Sequence, residues 1–215
     1  MTLRHAAAVF FRFPSPRLIV VLTLAAGAVR AAFGPLATGD AIIIAVIPLY
    51  WALQEWILHK IVLHLEPFKV GPLRVDPYFA RKHREHHANP WSLPETFLPL
   101  RVVLVAMLVN ICLWYLLMPT AALAWTGITG ISAMSLVYEW IHYLTHTPYR
   151  PRSRYYGNIC LSHRRHHFKN EHYWFGFVIP WVDSLFRTNP DWRTVETSPT
   201  CRTLGISDEP PAEIP

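Results

Sequence analysis

Charge is scarce in this chain of 215 residues: Asp, Glu, Lys and Arg make up 16% of it, against a hydrophobic share of 52%. A soluble domain carries about 25% charged residues. An ordinary soluble enzyme is therefore not expected, and the apolar share rules out disorder over most of the length. Cysteine is scarce too. Cys112, Cys160 and Cys201 stand far apart with no CxxC. That excludes a disulfide framework and a thiolate zinc site, and fits a reducing compartment. Acidic side chains number 14 against 20 Lys and Arg. Glycine-rich phosphate loops are missing, with no GxGxxG and no GxxxxGK[ST], so no nucleotide or flavin fingerprint is present. The basic excess is read as attraction to anionic lipid, and no nucleic-acid partner is expected.

What the chain has instead is long apolar runs. Four stand out: Leu18 to Leu36, Ala41 to Leu58, Leu98 to Met118 and Ala121 to Ile141. Crossing a hydrocarbon layer takes roughly 20 helical residues. Backbone in lipid must satisfy its own hydrogen bonds, so the spans are expected to be helices. The first run is broken by Arg30 and its uninterrupted part falls short of a full span. It also fits a cleaved signal peptide, since Arg4, Arg12 and Arg17 precede it. Charge favours a retained span. If the first run crosses, 1–17, 59–97 and 142–215 share one side. With Arg101 reaching that side, they hold 19 of the 20 Lys and Arg. Both termini are then expected in the cytoplasm.

The second abundance is histidine, and it is clustered. His59 and His64 sit in HKIVLH, His83, His86 and His87 in HREHH, His142 and His146 in HYLTH, and His163, His166 and His167 in HRRHH. Residues three and four apart share a helix face, so each HxxHH is expected to present three imidazoles to one point. The HxxxxH pair fits less well, because five residues on an α-helix leave the rings about 140° apart. These two must act from a helix end or a bulge, or serve different ions. Imidazole suits iron, zinc and copper. Ten ligands exceed what one ion takes, so two ions with about five nitrogens each are expected.

A lone histidine near a helix end usually caps it or faces water. His5 and His172 are read that way, though His172 lies close to the last cluster. Glu55 and Glu139 precede His59 and His142 by four and three residues, and either carboxylate is placed to accept a ring N–H. Trp51, Trp56, Trp140, Trp174 and Phe175 are candidates for an apolar passage or for interface anchoring.

This histidine pattern resembles that of the fatty acid hydroxylase and sterol desaturase superfamily of integral membrane di-metal oxygenases. The resemblance runs from about Trp51 to Thr188 and includes EWILHKIVLHL, KHREHHANP, YEWIHYLTH and HRRHHFKNEHYWFGFVIPWVDSLFRT. The last stretch is the most specific, with Phe175, Gly176, Asp183 and Phe186 at the family's positions. Where the family usually has glycine, this chain has Arg187. The first two clusters look most like the fatty acid 2-hydroxylase branch.

The resemblance implies an all-α integral membrane protein of about four spans, with a cytoplasmic helical cap over a di-metal site. It implies 18–188 as the catalytic domain, between a cytoplasmic segment at 1–17 and a polar, proline-rich, flexible tail at 189–215. The ten clustered histidines would be the metal ligands, with Glu55, Glu139, His172 and Asp183 as supporting groups. The implied reaction is O2-dependent hydroxylation of a long-chain acyl lipid by two iron ions, with zinc as an alternative occupant. Sterol desaturation or another lipid or carotenoid oxidation is the neighbouring outcome. Electrons are expected from a separate carrier, a ferredoxin or small haem cytochrome with its reductase. A bis-histidine haem protein would place single histidines on facing helices within the spans. A metal transporter would need ligands near the bilayer midplane. Neither fits clusters at span ends.

Overall fold

In the computed structural model, residues 1–206 are described. Four helices are long and apolar enough to cross a membrane. The first is α2 (Pro14–Ala32), which follows a short amphipathic helix α1 (Leu3–Phe10). Pro14 opens α2 at a position whose N–H has no helical partner, so its missing donor costs nothing. The second is α3 (Thr38–Ile57), which runs on as a π-helical turn over Leu58–Leu63. A hairpin, β1 (Phe68–Val70) and β2 (Leu73–Val75), then leads to α4 (Tyr78–Ala88) and a single turn, α5 (Leu93–Thr96). The third and fourth spans are α6 (Leu100–Leu117) and α7 (Ala121–Thr145), joined by three residues, with Thr120 accepting from the Leu123 amide at 3.3 Å. The chain closes with α8 (Arg154–Phe168) and the short α9 (Trp181–Leu185).

The four expected spans are all present and the architecture is helical. The hairpin is the exception. Its turn is Val70-Gly71-Pro72-Leu73, with Gly71 at φ +59. Glycine at the first central position is what a type II′ turn requires, and the Gly-Pro pair was the readable signal for it.

Spans α2, α3 and α6 all pack on α7. Small residues let them approach closely. A Cβ on Gly127 would lie 2.0 Å from the Trp114 ring of α6, and one on Gly130 would lie 2.9 Å from Ile47 of α3. Close backbone approach at small residues is how helices gain contact in lipid, where no hydrophobic force drives them together. Ile43, Ile47, Trp51, Trp114 and Ile128 form the core between these helices. Outward faces such as Ile42, Ile44 and Val46 on α3, and Leu104, Leu108 and Leu116 on α6, stay exposed. These faces suit a lipid solvent and mark the chain as an integral membrane protein.

Arg30 and Asp40, opposite charges buried in the spans, are paired. At the end of the bundle away from the histidines, Arg30 binds Asp40 through two bonds of 2.8 and 2.6 Å and reaches Thr126 at 2.9 Å. The one basic residue placed away from the others by sequence thus ties α2, α3 and α7 together, as a buried charge must be paired.

Candidate metal centre

The clustered histidines meet at the other end of the bundle. His59 sits in the π-helical turn and His64 caps it. His83, His86 and His87 lie on α4, and His142 is in the last turn of α7 with His146 as its cap. His163, His166 and His167 lie on α8, whose start is capped by Ser153 accepting from the Tyr156 amide.

These ten form two groups of five. One is His59, His64, His83, His87 and His166; the other is His86, His142, His146, His163 and His167. Within each group the offered nitrogens lie within 4.8 Å of one another. The grouping corrects one expectation. Neither HxxHH aims at a single point. Neighbouring residues on a helix differ by about 100°, so His86 turns away from His83 and His87, and His166 away from His163 and His167. Each motif therefore supplies two rings to one group and one to the other.

The HxxxxH spacing is resolved by the π-helical turn. Widening the repeat toward i→i+5 brings residues five apart nearly into line. The His59 and His64 rings lie 5.3 Å apart in the same group. π-turns are rare and concentrate at functional sites.

The nitrogens are spaced as ligands are. Two nitrogens about 2.1 Å from one ion and at right angles would lie roughly 3.0 Å apart. The Nε2–Nε2 distances are 3.1 Å for His83–His87, 3.1 Å for His86–His142, 2.9 Å for His146–His163 and 3.1 Å for His163–His167. Nε2 of His59, His64 and His166 is buried without a hydrogen-bond partner. Burial and neighbouring rings hold His83, His86, His163, His166 and His167 well below the usual imidazole pKa. Burial takes His87 down to about 3. The rings are thus neutral, the form that binds metal. An all-imidazole set of this spacing fits iron or zinc.

Three rings of the first group are oriented by backbone carbonyls. Nδ1 of His59 donates to Phe175 O at 2.7 Å, His166 to Tyr173 O at 2.8 Å and His87 to Cys201 O at 2.8 Å. Each bond puts the proton on Nδ1 and leaves the Nε2 lone pair facing the group. Sequence reasoning missed these three anchors. Every residue has a carbonyl, so side-chain identity carries no signal for them.

The acidic residues act one step further out than expected. Glu55 hydrogen-bonds to no imidazole. Its Oε1 accepts from the Phe177 and Val178 amides at 3.0 and 3.1 Å, and its Oε2 from Trp51 Nε1 at 3.0 Å. Asp183 accepts from the Phe175 and Gly176 amides at 3.0 and 2.8 Å and from the Thr188 hydroxyl at 2.6 Å. Burial pushes Asp183 up to about 6 against these bonds. The cause is the loop at 173–178, which crosses the interior with no helical partners, and buried amides must find acceptors. Glu55 and Asp183 clamp that loop, and the loop presents Phe175 O to His59. Gly176 is needed there because a Cβ would lie 2.2 Å from Val182. Glu139 likewise accepts from the Leu98 amide at 3.1 Å rather than from a ring. His172 is exposed, its Nε2 lies 3.6 Å from a Glu171 carboxylate oxygen, and it belongs to neither group. Arg187 stands at φ +57, in the left-handed region. This is the physical reason for glycine at that position, and a side chain there costs about 1–2 kcal/mol.

A cavity of about 410 Å³ leads to both groups, with His83, His86 and His142 in its wall. Pro14 and Ser15, Leu63, and Pro99, Leu100 and Val102, at the ends of three spans, also line it. Its aromatic lining is Phe13, Tyr78, Phe79, Phe97 and Tyr138. None of the five aromatic residues read as candidates for a passage or for interface anchoring lines it. Trp51, Trp56, Trp174 and Phe175 are buried in the protein instead, with Trp56 Nε1 donating to Thr188 at 2.9 Å. Of the stretch 189–215 read as a tail, 207–215 lie outside the described residues, and Ser198 to Leu204 folds back over the first histidine group.

The family described as "Fatty acid hydroxylase" matches residues 44–188. The chain belongs to this family. It is 27% identical over 139 residues to a "Fatty acid 2-hydroxylase" of Macaca fascicularis, and 25% identical over 139 residues to that of Homo sapiens. Each match covers 64% of this chain and 37% of the relative, so the matched region is little more than a third of those proteins. Among solved structures, one described as "Full length scs7p (only hydroxylase domain visible)" shares the fold. Its TM-score is 0.72 at 19% identity, covering 85% of this chain and 68% of that one.

Proposed function

We propose that the ten histidines hold two metal ions and that the chain is an O2-dependent hydroxylase of a long-chain acyl lipid, with the carbon next to the carbonyl favoured. The observation that carries this reading is the pair of five-nitrogen groups at the end of a cavity that opens beside the spans. Iron, when bound, supplies the reductive activation of O2 that an unactivated C–H bond requires and no side chain provides. The chain's own residues do the rest. Neutral imidazoles hold the ions, the loop at 173–178 fixes ring orientation, and the cavity admits an acyl chain from the bilayer. Phe13, Phe79, Phe97 and Leu98 give that chain an apolar wall and exclude water from the histidines. The reaction R–H + O2 + 2e⁻ + 2H⁺ → R–OH + H2O needs two electrons, which a separate ferredoxin or small haem cytochrome with its reductase would deliver.

The site is placed on the cytoplasmic side with both termini, which the distribution of 19 of 20 basic residues supports. Reporter fusions after Gly39 and after Thr188 are expected to report outside and inside. An outside signal at Thr188 reverses the orientation.

Iron-loaded protein given reductant, acyl lipid and labelled O2 is expected to yield a product with one labelled hydroxyl oxygen. A product two hydrogens lighter without label moves the chain to the desaturase outcome at the same site. Label arriving from water overturns the oxygenase reading.

A further inference from the structure

Beyond the family match, which ends at Thr188, the chain returns to the histidines. Ser198 N donates to Lys169 O at 2.8 Å, joining the returning segment to the end of α8. The Ser198 hydroxyl donates to Glu171 Oε1 at 2.9 Å, and the Thr200 hydroxyl donates to the same oxygen. Cys201 and Leu204 are then buried, and the Cys201 carbonyl takes the Nδ1 proton of His87 at 2.8 Å. Arg202 reaches back to the Ala88 carbonyl at the end of α4. Glu171 is itself buried, at 1% exposure. A buried carboxylate with no lysine or arginine partner is costly unless it receives hydrogen bonds. Both hydroxyls bond Oε1, while Oε2 is buried without a hydrogen-bond partner, so the latch and the carboxylate meet through one oxygen.

We propose that Ser198–Leu204 is a strap that sets the orientation of His87, with Glu171 as its latch. The proposal rests on the reading that the histidines hold metal. His87 belongs to the first group, and its ring is oriented by a segment that the family match does not include. His59 and His166, the other carbonyl-anchored rings of that group, are held from the loop at 173–178. The strap therefore completes the orientation of one group and contributes no hydrogen bond to the five rings of the other. Glu171 is a positioning residue: it acts through Thr200 and Ser198 on the Cys201 carbonyl, and through that on the ring. A second cavity of about 460 Å³ runs beside the strap, lined by His64, Glu171, Thr200 and Leu204. It gives water a path to the first group that a released strap would widen.

Losing a partner that orients a metal ligand weakens binding about 10–100-fold. The test is equilibrium competition between the zinc-loaded full chain in detergent and a soluble chelator, comparing wild type, Glu171→Ala, Glu171→Gln and Thr200→Val. For Glu171→Ala we expect one ion to bind about tenfold or more weakly and the other to be unchanged. Glu171→Gln keeps an accepting oxygen and is expected to restore most of that affinity. Thr200→Val, which removes one hydroxyl donor at near-constant volume, is expected to shift the same ion in the same direction by less. Equilibrium affinity is read because a segment that merely shields the site changes rates and leaves affinity alone. Equal weakening of both ions marks general destabilisation and overturns the strap, as does no change in either. Wild-type chain that binds no zinc overturns the metal reading itself, a result distinct from failure of the strap.

Discussion

Replacing His86 or His166 with alanine is expected to remove at least one metal ion from the chain and to abolish the proposed lipid hydroxylation, while the four spans remain inserted. The two substitutions strike different groups, since His86 belongs with His142 and His146, and His166 with His59 and His64. Each group loses one nitrogen of five, and each ring lost is buried, at 2% and 0% exposure. The vacated space lies among other imidazoles, and among the described residues no spare carboxylate or thiol stands in either group to replace the ligand. The spans do not depend on the metal, because each apolar helix satisfies its own backbone. Elemental analysis of the purified variants checks this, with His5→Ala, an exposed residue that belongs to neither group, as the unaffected control. Full metal content in both variants would count against the assignment of these rings.

A comparably large effect is expected at Glu55, which hydrogen-bonds to no imidazole. Glu55→Ala leaves the Phe177 and Val178 amides and the Trp51 indole without their acceptor. A buried donor left unpaired costs about 1–3 kcal/mol, so a loss of roughly 3 kcal/mol or more is expected from the three together. The loop would shift, and with it the Phe175 carbonyl that orients His59. Metal affinity at the first group is therefore expected to fall about 10–100-fold. Glu55→Gln keeps one oxygen to accept from the loop and should fall between the two. Thermal unfolding in detergent and metal affinity measure both effects. An alanine variant with wild-type values in both would show that the loop is held by packing alone.

The spans were readable because lipid imposes a simple rule. Ala41 to Leu58 and Leu98 to Met118 could be nothing but long apolar helices once their length matched the bilayer. Eight of the ten histidines were readable because their spacings of three and four are the spacings of a helix face. Their division was not read correctly, although the same geometry contained it. The 100° between His86 and His87 separates them, and only the positions of α4, α7 and α8 show where each then points. The π-helical turn was anticipated only as one of three options for His59 and His64: a helix end, a bulge, or service to different ions. Glu55 and Asp183 were singled out as supporting groups for the ligands, but their partners are backbone amides of a loop whose path no residue pattern reveals. The Cys201 carbonyl is more remote still. It reaches His87 across 114 residues of sequence, from a stretch whose polar, proline-rich composition reads as a tail.

Two groups of five imidazoles are proposed to hold one metal ion each. X-ray absorption at the metal edge, with elemental analysis of the same sample, tests it most directly. The expected result is two ions per chain, each in a shell of nitrogen at about 2.1 Å with no sulfur. One ion per chain, or a shell dominated by sulfur, would contradict it.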